Sequence, residues 1–368
     1  MRTLNVHVSE SRISRVVLES GILHKVRHYL APLVEGRNIA LVTDTRVSAL
    51  YGNHVRKSLD IPSSKLLVLD VPEGEKSKTF SSINALATAL AEKQFERGDF
   101  IIALGGGVVL DLAGFLASVY MRGIPYITIP TTLLSQVDVC IGGKVAVNHA
   151  GGRNLLGQFY HPQMVLVDPD FLRSLDQRDL KSGLTEVVKA AIIGDKTLFQ
   201  RCEKCLQHPL RPQVNDHEEM IIRALHVKKR IIEKDEKEKG PRMVLNLGHT
   251  VGHALETATD YKLLRHGESI AVGTLAAAVI ARRRGLLSPG TFEKIANVIT
   301  RLLPGGPWKT VPDTAILDAM KRDKKKQLDR VPFILPKQVG KVATVWDVDQ
   351  KEIQDALDEV RRYGPEDI

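Results

Sequence analysis

The sequence predicts an α/β protein whose first half forms a doubly wound sheet and whose second half is mostly α-helical. Two observations carry this prediction. Short apolar segments alternate with helical patterns over the first half, and long helical patterns replace them from about residue 176. Strands that are apolar throughout are typical of parallel sheets covered on both faces, and repeated βα units favour a Rossmann-like domain. We therefore expect two domains, over residues 1–175 and 176–368.

Five segments of the first half are predicted strands because each is short, apolar and bounded by turn residues. They are residues 37–44, 65–71, 99–107, 125–130 and 164–169. In the second half, apolar residues recur at helical spacing. The predicted helices are 177–194, 211–234, 242–258, 267–285, 289–302 and 349–362, and a short β pair is predicted at "VPFIL" and "KVATVW". A cleft between two such domains is a common place for a ligand.

The composition of the 368-residue chain is that of an ordinary globular protein, with 43% hydrophobic and 26% charged residues. The N-terminus lacks the apolar segment of a signal peptide, and the longest apolar segment, 269–280, is too short to span a bilayer. Three cysteines argue against a disulfide framework, and the lone CxxC of Cys202 and Cys205 favours two ordinary thiols over a redox or metal site. We expect a cytoplasmic protein with no membrane partner.

The chain is basic, with a net charge of +9. Its lysines and arginines are spread along the sequence, aromatic residues make up only 5%, and no zinc-finger or arginine–glycine pattern occurs. These features favour small anionic ligands over nucleic acid. Most charges of the basic clusters are expected on solvated helix faces.

Residues typical of a dinucleotide site follow several predicted strands. In "IIALGGGVVLDLAGF" a buried strand runs into three glycines, 105–107, and then into a helix. Glycines let the backbone approach a phosphate and the helix N-terminus offers free N–H groups, although a tight turn without a ligand has the same pattern. Asp44, Thr131 and Thr132 also follow strands, where an acid can accept from ribose hydroxyls and threonine can donate to phosphate. Together these residues predict a bound dinucleotide.

The second half supplies candidate metal ligands. His249 and His253 are four residues apart and therefore on one face of a predicted helix. The pair is not part of HExxH, so no metalloprotease base lies beside it, and two histidines hydrogen-bonded to neighbours would have the same spacing. Glu186 and His266 lie in other helical segments. One acid and two imidazoles from three helices form a three-ligand set with open positions, as catalytic zinc requires.

Nearly the whole chain resembles the 3-dehydroquinate synthases, a family of the sugar-phosphate cyclase superfamily. An ordered series of motifs carries the resemblance: "PEGEKSK", "GGGVVLDLAG", "YMRGIPYITIPTTLLSQVD", "GGKVAVNHAGGRNLLGQFY", "GLTEVVK", "RMVLNLGHTVGHALE", "HGESIAVG" and "MKRDKK". The resemblance implies a homodimer that uses NAD and a divalent metal, normally zinc or cobalt.

The resemblance also implies roles for individual residues. The metal ligands would be Glu186, His249 and His266, whereas His253 would face the substrate. The NAD site would be lined by Asp44, Glu75, Lys78, Gly106, Gly107, Asp111, Thr131, Thr132, Asp138, Lys144 and Arg153. The substrate pocket would contain Arg122, Lys144, Asn154, Lys189, Lys228, Arg242, Asn246, His253 and Lys324.

The family's substrate, 3-deoxy-D-arabino-heptulosonate 7-phosphate, carries a carboxylate and a phosphate, which suits a pocket rich in lysine and arginine. The implied reaction begins with hydride transfer from C5 to NAD, which acidifies the neighbouring C–H. Phosphate then leaves by β-elimination, the hydride returns, and ring opening and an aldol step close the carbocycle, so NAD is regenerated. Much of the proton transfer is expected from the substrate's own phosphate, with His253 positioning it or relaying a proton.

Four positions depart from the family's usual pattern. Leu110 stands where many members have Gly, and Arg46 where Asn is usual. Arg153 replaces a usual Lys at a cofactor-contacting position, and Thr274 replaces a common Met. The change at Arg153 keeps the charge but alters its geometry, and the change at Thr274 is expected to affect packing.

Two alternatives to this family have the same general architecture. One is a sibling cyclase, a synthase of 2-deoxy-scyllo-inosose or 2-epi-5-epi-valiolone, in which the position of Asn246 or His253 is changed; both residues here match 3-dehydroquinate synthase. The other is a glycerol-dehydrogenase-like oxidoreductase, which would form NADH in net amounts. The combination of Lys228, Arg242 and Asn246 argues against it. A basic nucleic-acid-binding protein is a third, less favoured class.

Overall fold

The computed structural model describes residues 1–9, 12–207, 214–324 and 331–364, and within these ranges it describes no side chains for 7–9, 12, 214–216 and 322–324. The chain forms two compact units. The first contains residues 1–175 and 212–236, and the second contains residues 176–211 and 237–368. Residues 212–236 thus group with the first unit, whereas the sequence placed every residue after 175 in the helical domain.

The first unit is built on a seven-stranded sheet and a separate hairpin. Its strands are β1 (Arg2–Ser9), β2 (Arg12–Leu18), β3 (Ile39–Asp44), β4 (Leu66–Val71), β5 (Phe100–Gly105), β6 (Tyr126–Pro130), β7 (Lys144–His149), β8 (Gly152–Phe159) and β9 (Met164–Val167). The order in the sheet is β1-β2-β9-β6-β5-β3-β4, and all neighbours are parallel except β1 and β2. Because β4 and β5 flank β3 on opposite sides, the strand order reverses between β3 and β5, where such sheets bind ligands.

Helices cover both faces of this sheet. They are α1 (Val26–Val34), α2 (Thr45–Val47), α3 (Asn53–Leu59), α4 (Phe80–Glu92), α5 (Gly107–Val119) and α8 (Val214–Ile232). Ile39 and Leu41 of β3 share a buried cluster with apolar residues of α1 and α3. The alternate residues Ala40 and Val42 are equally buried and point the other way, where α5 packs against β3 and β5. Burial on both faces explains why the strands are apolar throughout.

The second unit is mostly helical. Its elements are α6 (Gln177–Gly194), α7 (Lys196–Leu206), α9 (His249–Ala258), α10 (His266–Arg283), α11 (Pro289–Thr300), α12 (Asp313–Lys324), α13 (Gln350–Val360) and a hairpin of β10 (Phe333–Gln338) and β11 (Lys341–Val345). Helix α10 is buried from Gly267 to Ala281 and packs against α6, α9, α11 and α13. A helix that is apolar on all sides is typical of such a central position.

The predicted fold class, a Rossmann-like sheet followed by a mostly helical region, is confirmed. The five predicted strands are present as β3, β4, β5, β6 and β9, and the predicted β pair is β10 with β11. The sequence reasoning missed β1, β2, the β7–β8 hairpin, α7 and α12. No helix within the described ranges is both long and apolar enough to cross a membrane.

One predicted helix, 242–258, is wrong as a continuous element. Residues Pro241–Asn246 form a 3-10 helix, and α9 begins only at His249. Gly248 between them has φ +79°, a left-handed conformation that interrupts an α-helix and favours glycine.

Candidate active site

Polar and glycine residues gather at the carboxyl edge of the first unit's sheet. Asp44 ends β3, Gly106 and Gly107 follow β5, and Thr131 and Thr132 follow β6. The strand register aligns these ends, since Asp44 pairs with Val71 and Gly105 pairs with Pro130. Parallel strands therefore bring together five of the residues that the sequence proposed for the dinucleotide.

The glycine-rich turn is required by close packing. A Cβ at Gly105 would lie 2.6 Å from the Cβ of Val109, and one at Gly106 would lie 3.2 Å from Cγ2 of Thr132. Helix α5 begins at Gly107, so the first free N–H groups of the helix lie directly after this turn. Such a helix N-terminus suits the phosphates of a dinucleotide.

Lys78 connects two neighbouring parts of this region. Its Nζ forms an ion pair with Asp111 of α5 and donates to Oδ1 of Asn154 at 2.5 Å. Lys78 is buried, and burial raises the pKa of Asp111 although the Lys78 charge opposes that shift. Asn154 has a left-handed backbone conformation, with φ +53°. It was predicted to contact the substrate, and it touches Lys78, which was predicted to contact NAD.

The tip of the β7–β8 hairpin is tied to the segment after β4. Asn148 donates from Nδ2 to Oε1 of Glu75 at 2.8 Å, and its own Oδ1 accepts from the Asn154 backbone at 3.0 Å. Arg153 lies 3.2 Å from Glu75 Oε1. Arg153 therefore contacts a residue of the predicted NAD site. Asn148 was not singled out from the sequence, because nothing in the pattern marks an asparagine near a hairpin tip.

Asp138 lies on a π-helical turn, Ser135–Val139, that follows the Thr131–Thr132 segment. Lys228 of α8 donates from Nζ to the Asp138 side chain at 2.5 Å and to its carbonyl oxygen at 2.6 Å. Lys228 is 8% exposed. Single π-helical turns are frequent at functional sites. The same region holds Cys140, and burial raises the pKa of that thiol to about 12, so the cysteine is not a reactive thiolate.

Three further predicted substrate residues lie on other elements. Arg122 follows α5 and precedes β6, so it lies toward the opposite edge of the sheet from Thr131; it is exposed and has φ +67°. Lys144 begins β7 and is exposed, four residues before Asn148. Lys324 ends α12, and its side chain lies outside the described residues.

Three helices of the second unit bring the predicted metal ligands together. One nitrogen from each of His249, His253 and His266 lies within 4.8 Å of the other two. Glu186 of α6 places Oε1 3.8 Å from Nε2 of His266. Among the described residues, this Oε1 has no hydrogen-bond partner although it is buried, whereas Oε2 pairs with Lys189. A buried carboxylate oxygen facing an imidazole nitrogen fits a cation bound between them.

Glycines let these helices approach one another closely. A Cβ at Gly273 of α10 would lie 1.9 Å from the carbonyl oxygen of Gly248, before α9. A Cβ at Gly252 would lie 2.9 Å from the Ser269 carbonyl oxygen, and one at Gly267 would lie 2.0 Å from that of Ser182 in α6. The spacing of α6, α9 and α10 thus depends on backbone-to-backbone contact, and this spacing sets the distance between the ligand side chains.

Hydrogen bonds fix the orientation of two histidines. Nδ1 of His249 lies 3.2 Å from the Leu247 carbonyl oxygen, and Nδ1 of His266 lies 3.0 Å from Oε1 of Glu256. The carbonyl and the carboxylate each accept a hydrogen bond from Nδ1–H, so Nε2 is left as the metal-binding atom. Burial, with the charge of Lys189, holds the pKa of His249 well below its usual range and keeps this imidazole neutral.

Polar residues of the predicted substrate pocket precede α9. Arg242 is 2% exposed, and Asn246 donates from Nδ2 to Oε1 of Glu238 at 2.7 Å. Glu238 has φ +55°. The sequence reasoning missed Glu238 because it lies in the charged segment "EKDEKEKG", where an acid that contacts a site residue cannot be told from one that faces solvent.

Comparison with solved structures defines the class of protein. The 2-epi-5-epi-valiolone synthase of Streptomyces hygroscopicus subsp. jinggangensis, solved with NAD+ and Zn2+ bound, is 28% identical with a TM-score of 0.87, covering 97% of this chain and 99% of that one. A 2-deoxy-scyllo-inosose synthase complexed with carbaglucose-6-phosphate, NAD+ and Co2+ is 25% identical with a TM-score of 0.86 and the same coverage. A protein of Sinorhizobium meliloti described as a probable glycerol dehydrogenase is 15% identical with a TM-score of 0.64, covering 94% of this chain and 96% of that one, and shares the fold alone. The fold is that of the sugar-phosphate cyclases.

Sequence comparison identifies the family within this class. The 3-dehydroquinate synthase N-terminal model matches residues 68–182 and the C-terminal model matches 183–326. The 3-dehydroquinate synthase of Desulforamulus reducens is 41% identical over 354 residues, which cover 96% of this chain and 98% of that protein. That of Thermodesulfovibrio yellowstonii is 37% identical over 360 residues, covering 98% and 100%. The chain belongs to the 3-dehydroquinate synthase family.

Proposed function

We propose that this protein is a 3-dehydroquinate synthase of aromatic amino acid biosynthesis. It converts 3-deoxy-D-arabino-heptulosonate 7-phosphate to 3-dehydroquinate and phosphate and uses NAD with a divalent metal, Zn2+ or Co2+. It is a phosphate-eliminating carbon–oxygen lyase. The observation that carries the proposal is the convergence of Glu186 with the three histidines, in a chain whose full-length relatives are synthases of this kind.

We assign the metal to Glu186, His249 and His266. The unpartnered Oε1 of Glu186 favours this set over three histidines, because a buried carboxylate oxygen needs a cation or a donor. Bound there, the metal would act as a Lewis acid on the substrate's hydroxyls. His253 is exposed and is assigned to the substrate, where its imidazole would position the phosphate or relay a proton.

We assign NAD to the carboxyl edge of the first unit's sheet. The α5 N-terminus and the turn at Gly106 and Gly107 would bind the phosphates, with Thr131 and Thr132 as donors. Asp44 lies at the end of β3, where an acid accepts from ribose hydroxyls. The further residues assigned to NAD are Glu75, Lys78, Asp111, Asp138, Lys144 and Arg153.

Cationic and amide side chains are assigned to the anionic substrate. Arg242, Lys189 and Lys228 are buried, and a buried cation binds carboxylate or phosphate more strongly than an exposed one. Asn246 would be held by Glu238. The other residues assigned to the substrate are Arg122, Lys144, Asn154 and Lys324.

We also propose that the enzyme is a homodimer in the cytoplasm. Strand β8 pairs only with β7 among the described strands, and its Leu155, Leu156 and Phe159 are 42%, 37% and 37% exposed. Exposed apolar side chains on a strand of a two-stranded hairpin favour contact with a second copy. Cys140, Cys202 and Cys205 form no disulfide with one another, which fits a reducing compartment. Sedimentation at micromolar concentration tests the dimer, and a monomer would contradict it.

The proposed reaction is tested by phosphate release from the heptulosonate phosphate with NAD and zinc. The expected result is stoichiometric phosphate, no lasting absorbance at 340 nm, and a product that dehydroquinase consumes. Lasting NADH with a polyol would instead indicate a dehydrogenase. Phosphate released from a different sugar phosphate, and none from the heptulosonate, would indicate a sibling cyclase.

A further inference from the structure

Glu256 is a buried carboxylate that contacts His266, one of the assigned metal ligands, but is not itself assigned as a ligand. It lies on α9, the helix that also carries His249 and His253, and is 4% exposed. Its Oε1 accepts from Nδ1 of His266 at 3.0 Å and lies 2.9 Å from Oγ of Ser269. Both partners are on α10, so one carboxylate connects the two helices that supply the histidines.

The contact with Glu256 determines which His266 nitrogen is free. A carboxylate can only accept at this position, so the proton of the neutral imidazole resides on Nδ1 and the lone pair on Nε2. Nε2 is the atom that lies 3.8 Å from the unpartnered oxygen of Glu186. Glu256 therefore directs the coordinating nitrogen toward the cation position.

The two assigned imidazole ligands are supported differently. His249 is held by a neutral acceptor, the Leu247 carbonyl, whereas His266 is held by an acid. An acid makes the opposite nitrogen a better donor to a metal, and outer-shell partners of this kind contribute about 10- to 100-fold in metal affinity. The carboxylate of Glu186 also pairs with Lys189, whose charge opposes cation binding. A second buried acid offsets that charge.

We infer that Glu256 is a positioning residue for His266, and that its negative charge strengthens metal binding without direct coordination. This inference rests on the metal assignment in the proposed function and adds a residue to it. Glu256 acts through its contact with Nδ1 of His266. A substitution that removes its charge but keeps its size should therefore lower the affinity for the metal and leave the fold intact.

The test compares the affinity of Glu256→Gln and wild-type protein for Zn2+ and Co2+, measured by competition with a chelator in the absence of substrate. We expect the affinity to fall about 10- to 100-fold and the visible absorption of bound Co2+ to shift. Glu359→Gln is the matched control, because Glu359 accepts from Arg282 at the far end of α10, and its affinity should stay within about twofold of wild type.

A structural role for Glu256 makes a different prediction. If the residue only joined α9 to α10, the metal-free variant would unfold more easily while the metal affinity of the folded protein stayed unchanged, and that result would overturn the inference. Should Glu256→Gln fail to fold, Glu256→Asp replaces it; the shorter acid keeps the charge but withdraws it from Nδ1, and an unchanged affinity would again reject the role. Failure of the proposed function appears separately, as wild-type protein that binds metal but releases no phosphate.

Discussion

The site residues of the first unit are already paired with one another, whereas those of the second unit leave an acceptor open. Lys78 pairs with Asp111 and Lys228 pairs with Asp138, so each buried cation has a carboxylate partner. In the second unit, Oε1 of Glu186 has no partner among the described residues. The ion pairs of the first unit present both positive and negative groups, which suits a ligand that carries both charges. The unpartnered oxygen of Glu186 in the second unit favours a cation.

The two sites also differ in what holds them. The first depends on strand ends aligned by backbone hydrogen bonds, so a single side chain can change with little effect on its neighbours. The second depends on contacts between helix backbones at glycines. The packing of these helices therefore also sets the positions of the predicted metal ligands. Changes of a single side chain at either site should therefore affect binding, whereas changes at the glycines between α6, α9 and α10 should affect binding and stability together.

The largest expected effect is on the metal. His249→Ala should lose bound metal on dialysis and lower turnover by about three orders of magnitude, because the Lewis acid contributes several kcal/mol. His253→Ala is the control: it should keep its metal and slow turnover about a hundredfold, as expected for lost proton transfer. Elemental analysis with steady-state rates distinguishes them. Metal retained by His249→Ala and lost by His253→Ala would reverse the two roles.

The next effect concerns the helix spacing. Gly273→Ala should lower the free energy of unfolding by about 3 kcal/mol, because a Cβ there meets the Gly248 carbonyl oxygen. Denaturant unfolding measures it. Gly290→Ala in α11, where nothing lies within 4 Å, is the control and should change stability by less than about 1 kcal/mol. Equal stability of the two variants would mean that the spacing is not fixed by the glycine.

A smaller effect is expected at the first site. Lys228→Ala should raise KM for the heptulosonate phosphate about 30-fold, because the substrate loses a hydrogen bond from a charged donor. The Kd for NAD should change less than about threefold. The adjacent Lys229→Ala, which removes only an ion pair with Glu233, should change neither. Comparable losses for both ligands would argue against assigning Lys228 to the substrate.

The smallest effect lies away from both sites. Arg284 holds the pKa of Glu352 below its usual value of 4.5, so the ionised pair stabilises the second unit above that pH. The stabilisation is lost as the pH falls through the lowered pKa, and it amounts to less than about 1 kcal/mol. Unfolding of wild type and Glu352→Gln at pH 7 and at successively lower pH measures it; the difference seen at pH 7 should shrink as the pH falls below 4.5.

The sequence predicted most elements whose periodicity is strong. The five sheet strands and α6 were visible because buried strands are apolar throughout and α6 has a regular apolar face. The β7–β8 hairpin was missed because glycines and polar residues interrupt its pattern. The break before α9 was missed because the conformation of Gly248 is imposed by contact with α10, which no local pattern reveals.

The candidate site could be predicted only in part. The resemblance to known cyclases supplied Glu186, His249 and His266 as ligands, whereas their spacing alone left His253 equally eligible. Glu256 and Glu238 were not found, because an acid that holds another side chain has no signature in sequence. Their roles depend on distances such as the 3.0 Å from Glu256 to His266, which arise only when the helices pack.

The grouping of residues 212–236 with the first unit has a consequence for work on fragments. Helix α8 is joined to that unit through Arg2 with Glu219, Ser20 with Glu218 and Asp138 with Lys228. Expression of residues 1–175 alone would uncover the surface that α8 protects and discard Lys228 with it. The chain therefore cannot be divided after residue 175 into two self-contained fragments. A chimera with a relative should exchange α8 together with the sheet of the first unit.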